Sequence, residues 1–185
     1  MAHEAEPAHP RPVEQFREYL HLLARLQLGA KFQTQLDPSD LVQQALLRAH
    51  EKQHQFRGRS EGERAAWLRA ILASTLADAV RKLSREPGQA KQEMLAALNE
   101  SSSRLEAWLA DQRPAPAEQA ARHEELFGLA EALALLPAEQ RLAIELRHLQ
   151  GWAVPRISHH MDRSIPAVAG LLRRGLKKLR ESLGD

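Results

Sequence analysis

The side chains whose spacing could support metal chemistry in this 185-residue chain are two pairs of histidines. His50 and His54 are four residues apart, which would place both imidazoles on one face of a helix, and His159 directly precedes His160. Neither pair has an Asp or Glu beside it in a recognisable metal-binding motif, and the chain contains no cysteine. We therefore interpret these histidines as solvated, and we predict no metal, no other cofactor and no catalytic residue.

Cationic side chains near the C-terminus suggest a different chemistry, the binding of phosphate. At about 100° per residue, residues 164–180 form an amphipathic helix. Its apolar face comprises Ile165, Val168, Leu172, Leu176 and Leu179. Its opposite face comprises Arg173, Arg174, Lys177, Lys178 and Arg180. A helix that packs on one side and is strongly positive on the other is suited to lie against phosphates in a DNA major groove.

The residues before this helix predict a helix-turn-helix. A short helix is expected from Val154 to Met161, followed by a tight turn at Asp162 and Arg163, with Ser164 as the cap of the second helix. An isolated cationic helix could be an ordinary solvated surface helix, but the short helix and the turn favour DNA binding. The residues expected at base edges are small: Ser164, Pro166, Ala167 and Gly170. Since few of them can make bidentate contacts, we expect weak binding dominated by phosphates.

A second basic region lies in the first half of the chain. Arg57 and Arg59 flank a glycine in a predicted loop after Phe56. The helix that follows carries Arg64, Arg69, Arg81, Lys82 and Arg85. Basic loops beside aromatic rings are common in proteins that hold unstacked single strands. Trp67 lies near the start of this helix, but it falls in the apolar register and we interpret it as a core residue.

Charge is segregated along the chain. Residues 46–91 contain ten basic and five acidic side chains, and residues 163–185 contain six and two. Residues 99–145 instead contain nine acidic and four basic side chains. This distribution indicates two surfaces for a polyanion, separated by a segment that avoids one.

The composition predicts an all-α fold, because residues with high helix propensity dominate and only 4% are aromatic. We expect two small helical domains joined by a linker. The expected parts are a flexible N-terminus (1–12), a first domain (13–88), a linker (89–117) with a weak helical pattern up to 112, and a second domain (118–185). No stretch approaches the roughly 20 apolar residues of a membrane span, and we expect a cytoplasmic protein.

Helix starts can be placed by their capping residues. Asp37 is expected to cap a helix that extends to about His54, with Pro38 at its first position. Ser60 and Glu63 have the spacing of a capping box. The polar residues at the start of the first of these helices could serve that start alone or could also face a basic partner, and the sequence leaves both interpretations open.

Two groups of these residues resemble the extracytoplasmic-function group of sigma-70 family factors. Its region 2 is similar to the stretch 37–43, the loop 56–59, and Trp67, Leu68, Ile71, Asp78, Arg81 and Lys82. Its region 4 is similar to Leu136, Pro137, Gln140, Leu146, Arg147, Gln150, Gly151, Ile157 and the run 164–180. The resemblance covers most of the chain and keeps the order and spacing of both regions.

The resemblance implies a non-enzymatic RNA polymerase sigma factor that directs promoter recognition, DNA melting and transcription initiation. Docking on the β′ clamp of core polymerase would use Asp37, Asp40, Gln43 and Gln44. The −10 element would be opened and held by Phe56, Arg57, Arg59, Ser74, Asp78, Arg81 and Lys82. The −35 element, beside the β flap, would be contacted by Ser164, Ala167, Gly170, Arg173, Arg174, Lys177 and Lys178. The acidic segment between the regions would thread toward the RNA exit channel.

Several positions depart from the family pattern. Ser74 stands where many members have Asn, and Ala153 and Asp162 stand where Ser and Gly are common. Ala169 and Leu171 stand where Lys and Arg are frequent. We expect these changes to remove polar DNA contacts and to alter the promoter sequence and the strength of melting.

Two other functions fit parts of the sequence. A transcriptional regulator that binds an operator without polymerase would explain the C-terminal helix equally well, but not the basic loop and helix of the first half. A metal-dependent enzyme or sensor would use the histidine pairs. The sequence does not decide whether an anti-sigma protein is a further partner.

Overall fold

A computed structural model describes residues 11–33, 35–83, 90–112 and 119–184, and these ranges contain helices and turns but no strand. The predicted all-α fold is confirmed. The helices are α1 (Arg17–Gln33), α2 (Pro38–Glu51), α3 (Glu61–Leu83), α4 (Ala90–Gln112), α5 (Gln119–Ala134), α6 (Ala138–Ile144), α7 (Val154–Met161) and α8 (Ile165–Leu183). Short 3-10 helices cover Val13–Phe16 and Gln53–Gln55, and a π-helical turn, Glu145–Leu149, continues α6. None of the helices in these ranges is long and apolar enough to cross a membrane.

The predicted helix caps are present. The Asp37 carboxylate accepts a hydrogen bond from the Ser39 backbone N–H at 2.8 Å. In the capping box, the Glu63 N–H donates to Ser60 Oγ at 3.2 Å, and the Ser60 N–H donates to the Glu63 carboxylate at 3.0 Å. The backbone N–H of Arg59 also donates to that carboxylate, and these hydrogen bonds, that of Arg59 first, lower the pKa of Glu63. Local polar groups therefore fix where these helices begin.

The core of the first half forms where the apolar faces of α1, α2 and α3 meet. Its fully buried side chains include Phe16, Leu20, Leu23, Val42, Ala45, Leu68, Leu72 and Leu76. Trp67, expected in the core, is half-buried against it. Ile165, expected on the apolar face of the last helix, is exposed at the first position of α8.

Helix α4 packs against α1 and α3, although its sequence pattern is weak. Leu98, Leu105 and Leu109 are buried in the common core. The Gln27 side-chain amide donates to Ser101 Oγ at 2.6 Å and thereby joins α1 to α4. Most of the segment expected to be a linker is thus a packed helix, while residues 113–118 and the predicted boundary within them lie outside the described residues.

Helix α5 extends the same hydrophobic core toward the C-terminal half. The ring centroid of Phe127 lies 4.7 Å from that of Phe16 and 5.4 Å from that of Tyr19, both in edge-on geometry. A second, smaller core within the C-terminal half contains Leu146, Ile157 and Val168. We refer to α1–α4 as the first unit and to α5–α8 as the second unit.

Candidate nucleic-acid interface

Helix α8 is anchored by one face and capped at its start. The Ala167 N–H donates to Ser164 Oγ at 3.3 Å, as expected for the predicted cap. The buried residues of α8 are Val168, Leu171, Gly175 and Leu179. A Cβ on Gly175 would come within 2.6 Å of Ile144 Cδ1, so this glycine lets α8 approach α6 closely. The expectation that Leu171 replaces a DNA-contacting cation is wrong, because the structure buries this position.

The opposite face of α8 is exposed and cationic. It presents Arg173, Arg174, Lys177 and Lys178 to solvent. Lys177 pairs with Glu181 at 3.7 Å, while the other three have no ion-pair partner among the described residues. The Arg174 guanidinium lies over Gly170, with Nη1 3.1 Å from the position that a Cβ would take. The surface therefore combines exposed positive charge with a small residue, Gly170, over which the Arg174 side chain lies.

The turn between α7 and α8 has the geometry of a tight helix-turn-helix. Asp162 ends α7 in the left-handed region at φ 51°. Glycine adopts this conformation without steric cost, whereas an L-residue is strained, which explains why glycine suits this position. The Arg163 guanidinium reaches the Glu139 carboxylate at 2.7 Å and fixes the turn to α6. The side chain at position 162 thus matters for the turn itself, and not only as a lost DNA contact.

The start of α7 carries an aromatic and cationic pair that our sequence reasoning missed. The Arg156 guanidinium lies 3.7 Å from the centroid of the Trp152 ring. His160 packs edge-on against the same ring at 5.2 Å, and Arg147 donates to the Trp152 carbonyl oxygen at 3.1 Å. The spacing of four between Trp152 and Arg156 could have indicated this contact. Arg156 is exposed on α7, the first helix of the helix-turn-helix.

The basic loop before α3 is supported by an aromatic cluster. The ring centroids of Phe56 and Trp67 are 5.2 Å apart, and the Arg64 guanidinium lies 5.0 Å from the centroid of the Phe56 ring. A Cβ on Gly58 would meet Phe56 at 2.4 Å, so only glycine allows the loop to fold over this ring. Arg57 and Arg59 remain exposed. Phe56 is thus half-buried as a support for the loop, while the two arginines face solvent.

Two arginines of α3 that seemed available for DNA bind other elements of the protein. Arg64 is only 4% exposed, and its guanidinium donates to the Arg11 carbonyl oxygen at 2.7 Å. Arg69 donates to Tyr19 Oη at 2.7 Å and to Asn99 Oδ1 at 2.8 Å. Their inclusion in a DNA surface is therefore wrong, because both side chains join α3 to other elements.

The remaining predicted residues of α3 lie near its C-terminal end. Asp78 pairs with Arg81 at 2.8 Å and with Arg48 at 3.4 Å, and Lys82 is exposed. Ser74 Oγ donates to the carbonyl oxygen of the preceding turn at 3.1 Å. At 1.5 Å per residue, this group lies roughly 20 to 30 Å along α3 from the end at which the basic loop lies. The structure therefore separates the predicted −10 residues into two groups.

The outer face of α2 collects the residues predicted to bind polymerase. Asp37, Asp40, Gln43 and Gln44 are all exposed. Leu47 follows on the same face and is 59% exposed, a feature that our sequence reasoning did not include. An exposed leucine surrounded by polar side chains is suited to a protein contact.

The histidine pairs do not converge on a metal site. Helix α2 ends at Glu51, so His50 and His54 do not share a helix as expected. His159 and His160 are exposed on α7. Within the described ranges, no group of three His, Asp or Glu side chains is placed to hold a metal ion.

Comparisons with known proteins relate this geometry to a family. The family model described as "Sigma-70, region 4" matches residues 126–179, which extend from α5 into α8. The chain is also 28% identical over 144 residues to "ECF RNA polymerase sigma factor SigX" of Bacillus subtilis (strain 168), covering 78% of this chain and 69% of that protein. Residues 126–179 are thus similar to region 4 of sigma-70 factors, and most of the chain is similar to an extracytoplasmic-function sigma factor.

Proposed function

We propose that this chain is an extracytoplasmic-function sigma factor that binds core RNA polymerase and directs it to promoters, where the second unit contacts the −35 element and the first unit opens the −10 element. Its partners are core polymerase and promoter DNA, and the polymerase contacts are the β′ clamp and the β flap. The domains and sites assigned in the sequence supply the residues for each contact.

The exposed cationic face of α8 carries this proposal. Arg173, Arg174 and Lys178 have no acidic partner among the described residues, so a polyanion would gain their full charge. Ser164, Ala167 and Gly170 precede them, and their small size would favour close approach to base edges. Each cation that contacts a phosphate releases counterions and adds affinity without sequence preference. This composition supports weak DNA binding that depends on polymerase to position the helix.

The first unit offers two cationic groups for the melted −10 element. Arg57 and Arg59 extend from a loop held by Phe56 and Trp67, and they can contact the backbone of a single strand. At the other end of α3, Ser74, Asp78, Arg81 and Lys82 form the second group. A strand that lies along α3 would meet both groups in succession. The aromatic cluster then serves to hold the loop in the conformation that aims its arginines outward.

The outer face of α2 is proposed to bind the β′ clamp. Asp37 and Asp40 supply negative charge, Gln43 and Gln44 supply hydrogen-bonding groups, and Leu47 supplies an apolar contact. Charge at the rim of an interface and an apolar side chain within it are common features of protein recognition.

Run-off transcription with purified core polymerase tests the proposal. Genomic DNA fragments retained by core polymerase together with this chain would serve as templates. We expect the Arg173→Ala/Arg174→Ala variant to lose at least tenfold in promoter-dependent initiation while still binding core polymerase. The matched control is Arg17→Ala/Arg122→Ala, which removes the same charge from exposed positions on α1 and α5 and should transcribe normally. Tight binding of one duplex by the chain without polymerase would instead favour an operator-binding regulator.

A further inference from the structure

A cavity of about 420 Å³ lies where α4 meets the π-helical turn. Its lining residues are Arg104, Ala107 and Trp108 of α4, and Arg147 and His148 of the π-helical turn. The volume falls within the range of about 300 to 1,000 Å³ that is usual for small-molecule sites. None of these five residues belongs to the surfaces assigned to promoter DNA or to polymerase. The cavity therefore has no part in the proposed function.

The two arginines of the cavity are held in place by backbone carbonyl groups. Arg104 donates to the Leu149 carbonyl oxygen at 3.2 Å. Arg147 donates to the Trp152 carbonyl oxygen at 3.1 Å. A guanidinium has five N–H donors, so each arginine keeps further donors for a ligand.

The charge of the cavity favours an anion. Glu100 pairs with Arg104 from the preceding turn of α4, while Arg147 has no ion-pair partner in the described part of the chain. The lining residues themselves include no carboxylate. Arginine recognises phosphate through parallel hydrogen bonds that are assisted by charge. Two fixed guanidinium groups at one cavity are therefore suited to bind a phosphate group.

A pair of stacked rings provides the apolar part of the cavity. The ring centroids of Trp108 and His148 are 4.9 Å apart, with an interplanar angle of 16°. Burial, and then the Arg147 guanidinium, lower the pKa of His148, so its ring is uncharged at pH 7. Trp108 is 8% exposed, whereas His148 is half-buried. Aromatic side chains, histidine included, stack on nucleic-acid bases.

The backbone that carries Arg147 and His148 has an unusual conformation. In the π-helical turn, the Gln150 N–H donates to the Glu145 carbonyl oxygen at 3.0 Å, five positions earlier. Turns of this kind are rare and occur frequently at functional sites. The π-helical turn is thus a second feature, independent of the charge and the rings, that points to a ligand here.

We propose that this cavity binds a free nucleoside phosphate. The phosphate lies between Arg104 and Arg147, and the base lies against the ring of His148. Ala107 has a short side chain and leaves room for the sugar. Because the ligand contacts both α4 and the π-helical turn, it stabilises the folded chain in proportion to its concentration above the dissociation constant.

Calorimetric titration of the full chain with three compounds at pH 7 tests this proposal. The compounds are ADP, ribose 5-phosphate, which lacks the base, and adenosine, which lacks the phosphate. We expect ADP to bind at one site per chain and roughly tenfold more tightly than either fragment, because each fragment lacks one set of contacts. Equal binding of ADP and ribose 5-phosphate would indicate a site for phosphate alone and would overturn the assignment. Absence of ADP binding would overturn the site itself.

The variant Ala107→Glu tests whether ADP occupies this cavity. Ala107 is exposed on α4, so the variant adds a carboxylate at the cavity without removing a packed side chain. Repulsion of the phosphate should lower the affinity for ADP roughly tenfold. The matched control Ala96→Glu adds the same charge at an exposed position about three turns earlier on α4 and should leave the affinity unchanged. An equal response of the two variants would place ADP elsewhere and overturn the proposal.

A single DNA strand presents the same base and phosphate, so a short oligodeoxyadenylate serves as the final probe. We expect Ala107→Glu to leave its affinity unchanged, because the cations of α8 lie outside the cavity. A loss of strand affinity as large as the loss of ADP affinity would assign the cavity to nucleic acid and overturn the free ligand. These titrations require no transcription, so their failure would leave the proposed function intact.

Discussion

Three arginines of the first unit and two arginines of α8 have opposite surroundings. Arg25, Arg64 and Arg69 each end at a defined acceptor in another element of the protein. Arg173 and Arg174 end in solvent. The difference follows from packing, because α1 and α3 are covered by several helices, whereas α8 is covered on one side only.

This contrast separates two uses of the same side chain. A guanidinium has five donors and a long apolar stem, so it can join distant backbone segments as readily as it can bind phosphate. A basic stretch of sequence does not reveal which use applies. The carbonyl and hydroxyl groups around an arginine decide whether it joins parts of the protein or is free to bind phosphate. Substitutions of the two kinds of arginine should therefore have different effects on stability and on DNA binding.

Breaking the buried ion pair should have the largest effect. Arg25→Ala leaves the Glu145 carboxylate nearly buried without its cation, and we expect the free energy of unfolding to fall by about 3 to 5 kcal/mol. Urea unfolding followed by circular dichroism measures this change. The double variant Arg25→Met/Glu145→Leu should recover most of the loss, because apolar replacement of both partners removes the uncompensated charge. A loss of less than about 0.5 kcal/mol in the single variant would show that the pair contributes little to stability.

Removing a buried guanidinium should lower the free energy of unfolding by less than breaking the ion pair does. The loss should still be clearly larger than the loss from removing an exposed guanidinium of α8. Arg64→Ala deletes the hydrogen bond to the Arg11 carbonyl and the contact with the Phe56 ring, and we expect a loss of about 2 to 3 kcal/mol. Arg174→Ala is the comparison and should change stability by less than about 0.5 kcal/mol. The same urea titration compares both variants. Similar values for the two would mean that the contrast in surroundings has no energetic consequence.

Much of the fold could be predicted because its signals are local. The caps at Asp37, Ser60 and Ser164 depend on residues within three positions, and each has the expected partner. The buried face of α2 follows from helical periodicity alone. The turn residues between α7 and α8 mark the helix-turn-helix in the same way.

The remainder could not be predicted because it depends on contacts between distant residues. The weak pattern of α4 gave no indication that Leu98 and Leu105 would be buried, since their partners lie on other helices. The Arg64 side chain is buried because its guanidinium donates to the carbonyl oxygen of Arg11, which lies 53 positions earlier in the chain. Leu171 was misread for a related reason, because the face of α8 that packing buries includes this position as well. The roles of the individual DNA-facing residues remain predictions.

The exposed cations of α8 should affect the salt dependence of DNA binding and should have little effect on the stability of the fold. Each phosphate contact contributes about 0.9 to the slope of log binding constant against log salt concentration. We therefore expect Arg174→Ala to lower this slope by about 1 in binding of promoter DNA by the polymerase complex. Fluorescence anisotropy over a salt series measures it. Arg122→Ala, at an exposed site on α5, is the control and should leave the slope unchanged.

The smallest expected effect is the pH dependence of stability that arises from His21 of α1 and His148 of the π-helical turn. Burial first, and then the Arg147 guanidinium, lower the pKa of His148, and burial and then Arg25 lower the pKa of His21. The unfolded chain, with histidine pKa values near 6.5, therefore binds protons first as the pH falls. Stability should be complete above about pH 6.5 and decline as the pH falls below it, with a small total loss because both rings are half-exposed. Thermal unfolding between pH 5 and 8 measures the decline, and the variant His21→Asn/His148→Asn should flatten it. A decline of equal size in that variant would show that other groups cause the loss of stability at low pH and that His21 and His148 do not.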